Sequence, residues 1–271
     1  HPSGLFVLFF TEMWERFSYY GMRAILVIFL TGSLLGDNPG WEWSSSAALS
    51  LLGTYAMLVY LTPLLGGWLA DNKIGYRMAV VIGALLMTLG HASMAVETPT
   101  FLYIGIAFLI VGNGFFKPNM TSIISHMYKD TPEKKDGAYT LFYMGVNAGA
   151  FFGILLCGYL GEKVGWSYGF GLAGVFMFFG MLQFWLSQNI FGDIGLKPTA
   201  ESKAKSEAED AKIGIRNHRK DANSDIKKEE KEGTAEDICK KAEEDVQKLT
   251  DSFIKKIDEL LAVKEAEIMK V

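Results

Sequence analysis

The chain has 271 residues, half of them hydrophobic, and a formal net charge of −4. These averages combine two different segments, because 21 of the 56 charged residues lie in residues 1–198 and the other 35 lie in the last 73. The net charge therefore says little about partners. The two cysteines, Cys157 and Cys239, lie far apart in the sequence and imply no disulfide framework. We predict a membrane domain followed by a soluble, highly charged appendage.

The first apolar run, about residues 5–35, contains a stripe of polar side chains. At steps of three and four residues, one helix face collects Glu12, Glu15, Arg16, Tyr19 and Arg23. Charges at membrane depth are expensive, so they face a polar interior and pair with one another. The stripe therefore predicts a functional site. The alternative is a soluble buried helix with ion pairs, which the length of the apolar run disfavours.

Six apolar runs follow one another, and each is long enough to cross a hydrocarbon core of about 30 Å. They cover about residues 5–35, 46–70, 78–96, 100–127, 138–161 and 166–190. Because the runs lack the alternation typical of strands, we predict six transmembrane helices in an all-α domain over residues 1–191. Gly145, Gly149 and Gly153 recur at four-residue steps in the fifth run, which favours close helix packing.

Basic residues in the short connections predict the topology. The second connection contains Lys73 and Arg77, and the fourth contains Lys129, Lys134 and Lys135. The first and third connections have no Lys or Arg. We therefore expect a multi-pass protein of the cell inner (plasma) membrane, with both ends of the bundle and the tail on the cytoplasmic side.

Lys117 is a charge deep within the fourth run, and Pro118 follows it. Proline removes a backbone donor, so the helix is expected to loosen there and to form a cavity wall. A cavity lined by this lysine and the charges of the first run accepts an anionic or carboxylate-bearing ligand. Four uncharged side chains would add hydrogen bonds to such a ligand: Tyr19, Tyr20, Tyr60 and Asn147. For each of the three tyrosines, simple packing is the alternative.

Motifs of enzyme chemistry are missing from the sequence. It contains no metal-ligand cluster, phosphate-binding loop, nucleophile elbow or Cys-x-x-Cys pair. We therefore predict that the protein is not an enzyme and needs no metal or other cofactor.

Four short motifs occur in order over about 190 residues: EMWERFSYYGMR at 12–23, GWLADNKIGYR at 67–77, FKPN at 116–119 and FYMGVNAG at 142–149. The first resembles the ExxERFxYYG signature of proton-coupled oligopeptide transporters. The second resembles the loop motif of the major facilitator superfamily, with Asn72 where that motif usually has a basic residue. The third and fourth resemble further stretches of the same transporter family.

This resemblance implies a role for each matching residue. Glu12, Glu15, Arg16 and Lys117 would couple protons. The peptide site would consist of Tyr19, Tyr20, Arg23, Tyr60, Lys117 and Asn147. The gating group of the loop motif would consist of Asp71, Arg77 and Asp136.

The resemblance also implies partners and a limit on activity. Members of the family carry di- and tripeptides together with protons across a lipid bilayer, through a site between two six-helix halves. The present sequence matches the first half, so we expect it to be inactive without a C-terminal six-helix half, because alternating access moves one half against the other.

The charged segment begins after a linker at residues 192–202, which contains Gly and Pro. Apolar residues at helical spacing predict two antiparallel helices, at 203–231 and 235–269, in a hairpin over residues 203–271. A single helix continuing from the sixth span is the alternative.

The segment from about residue 206 to 271 resembles the C-terminal helices of ribosome recycling factor, notably RNHRKDAN at 216–223 and DVQKLTD at 245–251. That resemblance implies ribosomal RNA contacts by Arg216, Arg219 and Lys220. Two alternative functions follow from it. One is a ribosome-binding module tethered to a membrane, and the other is an engineered structural chimera without activity.

Overall fold

The computed structural model describes residues 1–269, and it confirms the all-α class because this part of the chain contains no strand. The chain divides into two compact units, His1–Lys197 and a second unit that begins at Pro198. Each is a helical assembly with its own packing.

Six α-helices form the first unit: α1 (Ser3–Thr31), α2 (Ser45–Leu69), α3 (Tyr76–Met94), α4 (Pro99–Met127), α5 (Lys135–Lys163) and α6 (Trp166–Leu186). A π-helical turn, Ala70–Ile74, extends α2. Within residues 1–269, the five helices from α2 to α6 are long and apolar enough to cross a membrane. The chain is therefore a membrane protein.

The helix α1 is the exception among the six predicted spans. Its 29 residues would reach about 43 Å at the α-helical rise, which exceeds the hydrocarbon thickness. It does not reach the apolar composition of the other five helices, because Glu12, Glu15, Arg16 and Arg23 lie along it. Composition thus confirms five of the six predicted spans.

The charged helix α1 packs mainly against α5 and α6, while α3 packs against α4 and α6, and α2 against α4. Close approach of α1 to α5 depends on the three glycines at four-residue steps. A Cβ atom on Gly145 would lie 2.9 Å from the Phe9 carbonyl oxygen, and one on Gly149 or Gly153 would overlap the carbonyl of Met13 or Phe17. The predicted close packing by these glycines is confirmed.

The helix α4 remains α-helical through Pro118, so the predicted loosening is wrong. Proline frees the carbonyl four residues earlier, on Gly114. That carbonyl faces the backbone of Gly66 in α2, where a side chain would overlap it. Nearby, the Thr62 hydroxyl donates to the Ile110 carbonyl at 2.9 Å. Tight packing against α2 therefore supports the helix at the proline.

The second unit contains α7 (Ala200–Lys231) and α8 (Glu236–Ile268). A capping box begins α7, because Thr199 accepts from the Ser202 backbone N–H at 3.1 Å and Ser202 accepts from that of Thr199 at 2.8 Å. The helices are antiparallel, since Lys205 lies 3.4 Å from Glu265 and Arg219 donates to Gln247 at 2.8 Å. The last two residues of the predicted hairpin, 270–271, lie outside the described residues.

We predict that Gly149→Val destabilises the first unit. The added side chain overlaps the Met13 carbonyl on the neighbouring helix, and overpacking of this kind costs about 1–3 kcal/mol. The thermal unfolding midpoint in detergent, followed by tryptophan fluorescence, should fall. Gly158→Val is the matched control, because it lies on the same helix with open space around its Cβ position. Equal midpoints for the two variants would contradict the glycine contact.

Candidate functional site

The centre of the site is a buried ionic cluster on α1, formed by Glu12, Glu15 and Arg16. The Arg16 Nε atom lies 3.0 Å from Glu12 Oε1, and it also forms an ion pair with Glu15. The side chains of Arg16, Glu12 and Glu15 are 7%, 6% and 1% exposed, so water hardly reaches them. A spacing of four residues places Glu12 beside Arg16 on the helix surface, whereas Glu15 is the sequence neighbour of Arg16.

Burial makes this cluster sensitive to any change in charge. An ionised group without water is stable only beside opposite charge and hydrogen-bond partners. Glu15 Oε1 and Arg16 Nη2 are buried without a hydrogen bond to any other group among residues 1–269. One acceptor and one donor of the cluster therefore have no hydrogen-bond partner within the described residues.

Lys117 brings a second positive charge towards the cluster from α4. It is half-buried, and its ammonium interacts electrostatically with both Glu12 and Glu15. Its Nζ atom also lies 5.3 Å from the centre of the Tyr60 ring, a cation–π contact. With two carboxylates and two cations ionised, the group formed by the cluster and Lys117 is electrically balanced.

Aromatic side chains extend from the cluster. The Arg16 guanidinium lies 5.2 Å from the centre of the Tyr19 ring, and Tyr19 packs edge-on against Tyr20 at 5.0 Å. Tyr19 is also hydrogen-bonded to Arg23, which is exposed. These contacts join four of the predicted site residues on α1 into one continuous surface.

Two other predicted peptide-site residues are more isolated. Tyr60 is 72% exposed, and its described contact is with Lys117. Asn147 is exposed on α5 and has no hydrogen bond to another group within residues 1–269. The structure thus connects Tyr60 to the ionic cluster through Lys117, whereas Asn147 has no such connection.

Tyr55 on α2 is a site neighbour that the sequence analysis did not select. It is 2% exposed, and its ring centre lies 6.2 Å from that of Tyr19. Glu15, Arg16 and Arg23 all interact with it electrostatically. The only sequence signal was a phenol in an apolar helix, a pattern that also fits simple packing.

The residues of the loop motif lie apart from this cluster. Arg77 is buried, and it donates to the carbonyls of Gly192 and Ile194, the latter at 2.5 Å. Asp71 is hydrogen-bonded to Tyr76, and Asp136 is exposed at the beginning of α5. Among the ion pairs of residues 1–269, Arg77 is paired with neither aspartate.

The three predicted RNA-contacting residues lie on α7. Arg216 is 3.4 Å from Glu209, Arg219 donates to Gln247, and Lys220 is exposed. Within the described part of the chain, no group of three or more His, Cys, Asp or Glu side chains is placed to hold a metal ion.

The fold and the cluster define a helical membrane protein with an ionic site in its interior. Residues 77–268 match the family described as PTR2: POT family. The match covers more than half of the chain, so the chain belongs to the POT family. It continues through α7 and α8 and is not confined to the membrane helices.

Individual relatives agree with this membership. The chain is 37% identical over 209 residues to a di-/tripeptide transporter of Lactococcus lactis subsp. cremoris, which covers 76% of the chain and 42% of that transporter. A crystal structure of peptide transporter POT in complex with sulfate is 40% identical, with a TM-score of 0.70, over 79% of the chain and 44% of that protein.

A POT family transporter in complex with 5-aminolevulinic acid is 34% identical, with a TM-score of 0.69, over 80% of the chain and 45% of that protein. The chain therefore spans less than half the length of each of these relatives.

We predict that Arg16→Leu strongly destabilises the first unit, because it leaves two buried carboxylates without their common partner. Breaking a buried ion pair from one side costs about 3–5 kcal/mol. The variant Arg16→Leu with Glu12→Gln and Glu15→Gln removes the uncompensated charge, so it should recover much of that loss. Thermal unfolding in detergent measures both variants.

Arg23→Leu provides the control, because an exposed charge contributes only about 0–1 kcal/mol. If Arg16→Leu unfolds at the same temperature as Arg23→Leu, burial of the ionic cluster does not determine stability.

Proposed function

We propose that this chain supplies the N-terminal, six-helix half of a proton-coupled symporter for di- and tripeptides. In this proposal α1 also spans the membrane, in addition to the five apolar helices α2 to α6. The observation that carries the proposal is the buried cluster of Glu12, Glu15 and Arg16 with Lys117 in electrostatic reach. A charged helix at the centre of an apolar bundle serves a polar pathway better than it serves stability.

Charge balance gives the proposed coupling step. When a proton binds Glu12 or Glu15, the group formed by the cluster and Lys117 changes from neutral to a net charge of +1. A guanidinium or ammonium then lacks an internal partner, and it attracts the carboxylate of a peptide. Loss of the proton restores the internal pairs and releases the peptide. Proton binding and peptide binding thus favour each other.

The surface beside the cluster is suited to a peptide. Arg23 and Lys117 would meet the terminal carboxylate, and the phenols of Tyr19, Tyr20 and Tyr60 would add hydrogen bonds. Asn147, exposed on α5, would contribute a further hydrogen bond once the site is covered. Structures of relatives contain sulfate or 5-aminolevulinic acid, and each ligand has an anionic group of the kind these cations would bind. This similarity of ligand chemistry supports the assignment.

The peptide site requires a second wall. Arg23, Tyr60 and Asn147 are exposed, so water would screen their interactions unless another element covers them. We assign that role to a C-terminal six-helix half, whose movement against the present bundle would expose the site to each side of the membrane in turn. Asp71, Arg77 and Asp136 would control this movement from the connections that follow α2 and precede α5.

The proposed membrane topology is based on the Lys and Arg residues in the connections between the helices. We place the transporter half at residues 1–191 and the soluble hairpin at residues 203–269, with both ends of the bundle and the tail on the cytoplasmic side of the plasma membrane. Of the predicted linker, residues 192–202, the last three already belong to α7. The resemblance of the tail to ribosome recycling factor stays a prediction, because the family match runs through residue 268.

Peptide binding tests the proposed function directly. The 271-residue chain in detergent is titrated with a dipeptide, alone and together with the separately expressed C-terminal half of a relative. We expect weak binding by the chain alone and tighter binding with the added half, because the second wall excludes water. Tight binding by the chain alone would overturn the need for that wall, and no binding in either mixture would overturn the peptide assignment.

We predict that Lys117→Gln, in the complemented protein, abolishes uptake driven by a proton gradient but leaves most peptide counterflow. Without the ammonium, proton binding no longer releases a cation, while the exposed Arg23 still meets the carboxylate. Proteoliposomes with an imposed proton gradient give both rates.

Lys129→Gln is the matched control, since Lys129 is exposed just beyond α4 and should retain both activities. Equal loss of uptake and counterflow in Lys117→Gln would show that Lys117 only builds the binding surface.

A further inference from the structure

We propose that one face of α7 binds the phosphate groups of anionic lipid headgroups. Four basic residues form this face, which we call the basic flank: Arg216, Lys220, Lys227 and Lys231. Arg216, at its beginning, also lies 3.4 Å from Glu209. Steps of four, seven and four residues place the four basic residues within one narrow arc of the helix. The arc extends over about 22 Å of helix length, so several headgroups can contact it at once.

The basic flank faces away from the partner helix. Ile215 and Ala222 of α7 line a cavity between the two helices, together with Val246, Leu249 and Phe253 of α8. The four side chains of the basic flank are all exposed. A flat surface can therefore approach them without separating the hairpin.

An open groove of about 580 Å³ runs along the basic flank. Lys220, Lys227 and Lys231 line it together with the neutral polar side chains of Asn223 and Ser224. No acidic residue contributes to the lining of this groove, within the described part of α7. A phosphate in the groove would meet ammonium groups and hydrogen-bond donors without a repelling carboxylate.

Three lysines of the groove have their charge available. Lys220, Lys227 and Lys231 make no ion pair with any of residues 1–269. In contrast, Lys228, which also lines the groove, pairs with Asp225 at 2.8 Å. The other three lysines of the groove therefore present uncompensated positive charge to the surroundings.

The covalent connection to α6 favours a membrane as the source of the phosphates. Thirteen residues, from Ser187 to Thr199, join a membrane-spanning helix to α7. Those up to Lys197 belong to the first compact unit, so only Pro198 and Thr199 separate that unit from the beginning of α7. Such a tether holds the basic flank at a high effective concentration near the lipid surface. Near an anionic surface each Lys or Arg contributes a comparable attraction, which salt screens.

Amine-reactive footprinting of the full chain tests the proposal. The protein is placed in nanodiscs of phosphatidylcholine, with or without phosphatidylglycerol, and acetylation of each lysine is measured by mass spectrometry. With phosphatidylglycerol, we expect Lys220, Lys227 and Lys231 to react about fivefold more slowly, and high salt should remove the effect. Lys255 and Lys256, exposed on α8 of the same hairpin, should react equally in both discs.

Equal reactivity of the three lysines in both discs would overturn the proposal. Protection of Lys255 and Lys256 to the same extent as the three lysines would also overturn it, because it would indicate only a general surface potential. Inorganic phosphate and ribosomal RNA are added separately to the phosphatidylcholine discs. Protection by either one, without protection by phosphatidylglycerol, would assign the groove to that ligand and overturn the lipid source.

A triple variant provides a second measurement. Lys220→Gln with Lys227→Gln and Lys231→Gln changes only exposed side chains without ion pairs, so the hairpin should remain folded. In the unmodified protein, we expect residues 216–231 to exchange hydrogen more slowly in phosphatidylglycerol discs than in phosphatidylcholine discs. This slowing should disappear in the triple variant. It should persist in the matched variant Lys241→Gln with Lys255→Gln and Lys256→Gln, and its loss in both variants would contradict a specific flank.

Discussion

The buried ionic cluster of Glu12, Glu15 and Arg16 is the constraint on which the membrane unit depends. Two carboxylates and a guanidinium cannot face hydrocarbon, because ions lose most of their stability without water or a partner. The helix that carries them must therefore lie inside the bundle. Contacts with α5 on one side and α6 on the other meet that requirement. The charge of Lys117 then balances the second carboxylate.

A central position for α1 explains the glycines of α5. Large side chains on both helices would keep the backbones apart and leave space beside the ions, whereas Gly145, Gly149 and Gly153 allow close contact with the carbonyls of α1. The same glycine row ends beside Cys157, whose sulfur contacts Gly21. Close packing therefore continues along α1 past the cluster, and the sequence of α5 is adapted to the charges on another helix.

Local spacing predicted much of this structure, whereas contacts between distant segments were not predictable. The stripe on α1, the glycine steps of α5 and the two amphipathic helices depend on helical periodicity, which is visible in any single stretch. The contribution of Tyr55 depends on where α2 lies beside α1, and the carbonyl partners of Arg77 come from residues 192–194, far along the chain. The helix α4 continues through Pro118 because α2 packs against the Gly114 carbonyl that the proline frees. The sequence around Pro118 alone does not predict this contact.

The ionic cluster has unused hydrogen-bonding capacity, which is compatible with the proposed role as a proton switch. In a rigid core nearly every buried polar atom has a partner, since an unpaired one costs stability. Glu15 Oε1 and Arg16 Nη2 have no hydrogen-bond partner among residues 1–269. A proton on Glu15 would supply a new donor and weaken the hold on Arg16, which frees the guanidinium to rotate towards the surface formed by Tyr19 and Tyr20. Under the proposed function, exchange between the paired arrangement and one with Arg16 released would couple a proton to an anionic ligand.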